Sequence, residues 1–141
     1  MLEEAITRLF ASEDCFKIAS TRLNNEDEEL DITIQNNSHA PFLMSLGSPV
    51  ILLECKNWSK PVGSSEIRDF ESKLRNHSNL CRLGLFIALN GFSDSSGSFL
   101  KRMGRGEQIL VQICGDGIRE YLLKADKLED WLQDMVGKSL T

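Results

Sequence analysis

The chain has only four cysteines, Cys15, Cys55, Cys81 and Cys114, and no two of them form a C-x-x-C pair. That scatter argues against a zinc site and against a secreted disulfide framework, and it fits a reducing, cytoplasmic setting. No apolar run approaches the ~20 residues that a membrane-spanning helix needs. The opening MLEEAITRLF combines early acids with a helical apolar stripe, which is not the pattern of a secretory signal. Neither G-x-G-x-x-G nor G-x-x-x-x-G-K-[ST] occurs, so nucleotide binding through either glycine-rich loop has no support. Internal repeats and low-complexity tracts are also absent. The two histidines, His39 and His77, read as exposed loop or helix-end positions within reach of backbone phosphate.

What is present fits one compact domain. A length of 141 residues allows a sizeable core and is short for two domains, so residues 1–141 read as a single unit. The net charge of -5 is unevenly spread. Residues 1–31 carry 3 basic and 9 acidic side chains, whereas residues 56–105 carry 9 basic and 4 acidic. An acidic protein with one basic segment can still offer a face to a polyanion, although chance clustering on solvated helices gives the same count.

In chain order, Leu2, Ala5, Ile6, Leu9 and Phe10 recur at helical spacing. At ~100° per residue Glu3 projects beside Phe10 at the edge of that stripe, and Glu4 points away. Cys15 to Thr21 predicts a strand with Phe16 and Ile18 inward. The polar run Asn24–Glu29 predicts a turn, followed by a strand from Leu30 to Gln35. There Leu30, Ile32 and Ile34 share one face and Asp31 and Thr33 the other. Asn36 to Ser48 reads as a loop or broad hairpin connection, and Pro49 to Cys55 as a buried strand.

A turn from Trp58 to Gly63 leads to a helix capped by Ser64 or Ser65, with Ile67, Phe70 and Leu74 as its buried stripe. Leu83 to Leu89 is a second apolar strand, and Ser93 to Gly104 a weaker helix. Ile109 to Cys114 is a third strand, closed by a Gly115-Asp116-Gly117 turn. Asp126 and Glu129 form a capping-box-like pair ahead of a last helix carrying Leu128, Trp131, Leu132, Met135 and Val136. Early antiparallel pairing followed by strand-helix-strand crossovers implies an α/β fold, a mixed sheet covered by helices on both faces.

Chemistry concentrates at the end of the central strand, in ILLECKN. Glu54 and Lys56 share one face there and Cys55 takes the other. A carboxylate and an amine at the end of an apolar strand ask for a partner or a metal. Asp31 on a neighbouring strand would complete an oxygen pair suited to a hard divalent cation, with the backbone carbonyl of Cys55 as a third ligand. Taken alone, Glu-x-Lys reads first as a strand-end salt bridge pointing to solvent. Trp58 lies close by and could stack on a base or pack against the sheet edge.

The segments LDITI, ILLECKNW, KPVG, SSEIRDFESKL and GLFIALNGFS together resemble the PD-(D/E)xK nuclease superfamily. Within it they are most similar to the Mrr-like, type IV restriction endonuclease group. The resemblance implies an αβββαβ core and magnesium-dependent hydrolysis of phosphodiesters, with manganese as a substitute. Its motif residues here are Asp31, Glu54 and Lys56, with Asp31, Glu54 and Cys55 toward the metal. The group also tends to carry a glutamate in the first helix, and Glu3 with Ile6, Leu9 and Phe10 has that spacing. The expected substrate is double-stranded DNA in a defence setting, contacted through Lys60, Arg68, Arg75, Lys101 and Arg102. RNA or branched DNA as substrate, a catalytically silent binding or scaffold module of the same fold, a homodimer, and a sensor or NTPase domain in a longer protein stay open. The sequence departs from the group in two respects: an acidic run, rather than a glycine-rich lead-in, precedes Asp31, and the separation of Asp31 from Glu54 is rather long, which fits a loop insertion.

Overall fold

The computed structural model describes residues 2–24, 26, 28–93, 108–124 and 127–139. It opens with helix α1 (Leu2–Ala11), followed by strands β1 (Phe16–Asn24) and β2 (Glu29–Asn36). The short helix α2 (Pro41–Ser45), strand β3 (Val50–Lys56), helix α3 (Ser64–His77) and strand β4 (Cys81–Ala88) come next. Strand β5 (Ile109–Cys114) and helices α4 (Gly115–Lys124) and α5 (Leu128–Ser139) complete the described chain. The strands form one sheet in the order β1-β2-β3-β4-β5. The first two pairings are antiparallel and the last two parallel. This is the mixed, helix-flanked α/β sheet that the order of elements implies.

Alternation along the strands divides the core in two. Leu30, Ile32, Ile34, Ile51, Leu53, Cys55, Leu83, Leu85 and Ile87 face one way, and Ile6 and Phe10 of α1, Leu43 of α2, and Trp131 and Leu132 of α5 pack against them. The opposite face carries Phe86 and Ala88, covered by Ile67 and Phe70 of α3. The α3 helix sits close because β4 has glycine at position 84. A Cβ there would meet Leu74 Cδ2 and Phe70 Cε2 at 2.9 Å each. Ser48 ties the starts of β3 and β4, donating to the Val50 carbonyl (2.6 Å) and accepting from the Arg82 and Leu83 amides (2.9 Å each).

Several local expectations change. The stretch 36–48 contains α2, started by Pro41 in the first turn and followed by Gly47 at φ +64. The first strand begins at Phe16 and continues to Asn24, three residues past Thr21, because its hairpin pairing with β2 extends to the polar tip. The N-cap of α3 is Gly63 rather than a serine, and its amide donates to the Glu66 carboxylate at 3.1 Å. Gly115, Asp116 and Gly117 do not turn the chain but begin α4, since residues 118–124 supply enough good helix formers to carry the helix back through them.

The start of the last helix also has partners from distant segments. The Glu129 amide donates to the Glu13 carboxylate (3.2 and 3.3 Å), and the Glu129 carboxylate accepts from Ser38 Oγ at 2.6 Å. Asp126 and the expected helix beyond Ser93 lie outside the described residues.

Candidate active site

The β2–β3 register brings the motif together. Asp31 stands opposite Glu54, and Glu29 opposite Lys56, on the sheet face that α3 covers. Alternation dictates this, since Leu30, Ile32 and Ile34 must all point to the other face. Glu54 is 3% and Lys56 6% exposed, so both charges have largely left water. Each has a partner that pattern reading did not identify. Lys73 of α3 donates from Nζ to Glu54 Oε1 at 2.7 Å, and Lys56 is ion-paired with Glu29. Lys56 Nζ also lies 4.6 Å from the centre of the Trp58 ring, with Lys60 Nζ at 5.6 Å.

Signals for these partners exist in the sequence, though weakly. Glu29 is two residues before Asp31 and so shares its face. Lys73 falls three residues after Phe70, on the edge of the buried stripe of α3. Neither can be chosen without the register of β2 against β3.

Burial raises the Glu54 carboxyl above the ordinary carboxylate range, outweighing the opposing pull of Lys73 and Lys56, and the charge of Asp31 raises it further. Burial lowers Lys73, but its hydrogen bond to Glu54 and the charges of Glu54, Asp31 and Glu29 reverse that, so its affinity for a proton is increased. The Cys55 thiol is pushed up to about 12, by burial first and then by Glu54. Its side chain is locked into the core on the other face, so only its carbonyl is a candidate ligand.

The remaining candidates are more dispersed. Helix α1 packs through Ile6 and Phe10 on the face opposite Asp31 and Glu54. The side chain of Glu3 lies outside the described residues, and Glu4 pairs with Arg8 along the helix at 2.6 Å. Arg68 and Arg75 are exposed on α3, Arg75 being paired with Glu71. At ~100° per residue they project roughly opposite Lys73. Lys60 is exposed beside Trp58. Lys101 and Arg102 lie outside the described residues.

Among the described residues no group of three or more His, Cys, Asp or Glu side chains is clustered for a metal. The pair Asp31–Glu54 nevertheless consists of hard oxygen donors, and the burial that raises Glu54 is relieved by any added positive charge. Two carboxylates completed by main-chain and water oxygens suit magnesium, so the residues fit the ion.

Residues 1–122 match the Mrr_cat family model, described as restriction endonuclease. The chain belongs to that family. The restriction endonuclease assignment agrees with the mixed, helix-flanked sheet, and it makes the chain a nuclease-type hydrolase with nucleic acid as substrate. No curated protein and no solved structure matches the chain. No helix among the described residues is long and apolar enough to cross a membrane.

Proposed function

We propose that this restriction endonuclease domain is a divalent-cation-dependent DNA endonuclease with its reaction centre at Asp31, Glu54 and Lys56. The observation that carries the reading is the opposition of Asp31 and Glu54 on adjacent strands, with buried Lys56 two residues further on the same face. Asp31, Glu54 and the Cys55 carbonyl would hold magnesium, or manganese in its place, with Glu3 as a further candidate from α1. When bound, such an ion supplies Lewis acidity toward water and phosphate.

The chain's own residues do the rest. The Lys56 ammonium, fixed by Glu29 and the Trp58 ring, presents positive charge where negative charge builds on the phosphate. Lys73 holds Glu54 in a single orientation. Lys60, Arg68, Arg75, Lys101 and Arg102 are the proposed phosphate contacts of the basic segment. The setting we infer is cytoplasmic restriction of foreign DNA.

A second reading has its own observation. Glu54 and Lys56 each already have a protein partner, which is what a non-catalytic nucleic-acid-binding module of this fold would retain. Plasmid DNA, single-stranded DNA and RNA, each incubated with and without Mg²⁺ or Mn²⁺, separate the two. Nicking or linearisation of plasmid only with the ion supports the enzyme. Binding of nucleic acid with no cleavage under any ion supports the module.

A further inference from the structure

A single irregularity in the edge strand changes which side chains flank the candidate site. The β1–β2 ladder begins Phe16↔Asn36, Lys17↔Gln35, Ile18↔Ile34 and resumes Ser20↔Thr33, Thr21↔Ile32, Arg22↔Asp31. Ala19 is the extra residue, a β-bulge. Without it Arg22 would fall opposite Leu30, on the covered face. With it Arg22 falls opposite Asp31, and Arg22, Asp31 and Glu54 form one row across three strands. Bulges beside functional sites commonly re-aim a side chain in this way. Strand spacing puts the Arg22 backbone about 10 Å from that of Glu54.

That row lies between an exposed strip of β1 and a cleft beside α3, the two sides of the trough inferred below. On its β1 side Lys17, Ser20, Arg22 and Asn24 are all exposed, and no described helix packs over them. Among the described residues Arg22 makes no ion pair, although Asp31 is its cross-strand neighbour. The other wall is the last part of α3, where Asp31, Leu52, Phe70, Lys73, Asn76 and His77 line a cleft of about 260 Å³. The floor is apolar, and Asn76 and His77, both exposed, stand at the mouth. Its volume is just below the ~300–1,000 Å³ typical of small-molecule pockets, which suits one planar ring and not a duplex.

We propose that this trough carries one strand of the nucleic-acid substrate away from the reaction centre, Arg22 binding the phosphate beside Asp31 and the α3-side cleft receiving the adjoining base. The inference rests on the nuclease reading and adds a strand path to it. The chemistry is complementary along its length. A guanidinium offers two parallel donors to a phosphate, and Lys17 continues the positive edge along β1. Asn76 can give a donor and an acceptor to one base edge, and His77 can stack on its ring.

The test is fluorescence anisotropy of a labelled single-stranded oligonucleotide across a salt series, with Ca²⁺ replacing Mg²⁺ to hold back turnover. Arg22→Ala should lower the slope of log K against log salt by about 0.7, the single-strand value for one phosphate contact, and Arg22→Lys should restore that slope with weaker affinity. Asn76→Ala should weaken binding at an unchanged slope. Arg119→Ala, on exposed α4, should behave like the parent. Thermal midpoints equal to the parent's keep misfolding out of the comparison. Parent-like binding by both Arg22→Ala and Asn76→Ala, in a protein that still cleaves DNA, overturns the trough and leaves the nuclease reading intact. The expected shifts in a protein that no ion activates sustain the trough and remove the nuclease. A parent that binds no oligonucleotide at low salt overturns both.

Discussion

Asp31 and Glu54 are direct cross-strand neighbours in the antiparallel β2–β3 pair, although a turn of chain and helix α2 separate them in sequence. Facing side chains in such a pair have Cβ atoms about 5 Å apart, close enough for two carboxylates to share one cation. Asp31→Asn and Glu54→Gln should therefore each lose Mn²⁺ binding by calorimetry and lose cleavage by more than about 100-fold. Undiminished cleavage by Glu54→Gln would remove the assignment at this site. Glu3→Gln should weaken metal binding as well, while Glu4→Gln, whose carboxylate is engaged by Arg8, should not.

Lys56 is expected to serve the reaction more than the metal. Lys56→Ala should keep Mn²⁺ and DNA binding yet lose rate by about 10²–10³-fold, as when a donor that matters mainly in the transition state is removed. Glu29→Gln should cost less, because Trp58 still restrains the ammonium. Single-turnover kinetics alongside binding measurements would show the split. A parallel fall in affinity and rate for Lys56→Ala would count against it.

The raised Glu54 carboxyl has a consequence for stability against pH. Its folded pKa exceeds its unfolded one, so its contribution to stability is fully present below the unfolded value and is lost as pH rises through the folded value. In the metal-free protein the parent should lose stability relative to Glu54→Gln as pH rises above the ordinary carboxylate range. Urea denaturation of both at several pH values measures the difference. Parallel pH dependence would show that the buried charge is fully compensated by Lys73 and Lys56.

Gly84 and Gly137 should respond oppositely to alanine. At Gly84 the new methyl collides with Leu74 and Phe70, and overpacking of this kind costs about 1–3 kcal/mol. At Gly137, within α5, nothing lies within 4 Å of the added Cβ, and a helical glycine replaced by alanine gains about 0.5–1 kcal/mol. Denaturant midpoints of the two variants should move in opposite directions.

The basic segment is open to a salt test. If Lys60, Arg68, Arg75, Lys101 and Arg102 contact phosphates, each substitution by alanine should reduce the salt slope of duplex binding by about one unit. Arg75 is paired with Glu71 and projects away from the row of Asp31 and Glu54, so its effect should be the smallest among the α3 residues if the strand path runs past Arg22.

The parts of this fold that sequence reveals are those where a period meets a solid core. Leu30, Ile32 and Ile34 are all fully buried, as are Ile67, Phe70 and Leu74, and Ile109–Cys114 is a strand over that same range. The motif face follows from the same alternation. What resists reading depends on register or on long-range partners. Nothing local marks Ala19 as an extra residue, and strict alternation carried on from Phe16 and Ile18 would put Arg22 on the face it does not occupy. The pairing of Lys73 with Glu54 depends on how far Gly84 lets α3 settle onto the sheet, a property of three elements together. Helix α2 is too short to show a period, and the glycines at 115 and 117 read as a turn because their cost in helix is outweighed only by the residues that follow.

Helix α5 begins after residue 122, where the family match ends, yet Glu13 and Ser38 from the far end of the chain bind its first turn. Leu128, Trp131, Leu132 and Val136 complete the core that α1 opens. Four such side chains bring about 6–12 kcal/mol of burial at the usual scale, an upper figure but comparable with the ~5–15 kcal/mol net stability of a whole domain. The unit recognised by homology and the unit able to fold by itself therefore have different boundaries. An expression fragment trimmed to the homologous region would leave that face of the sheet only partly covered, by α1 and α2.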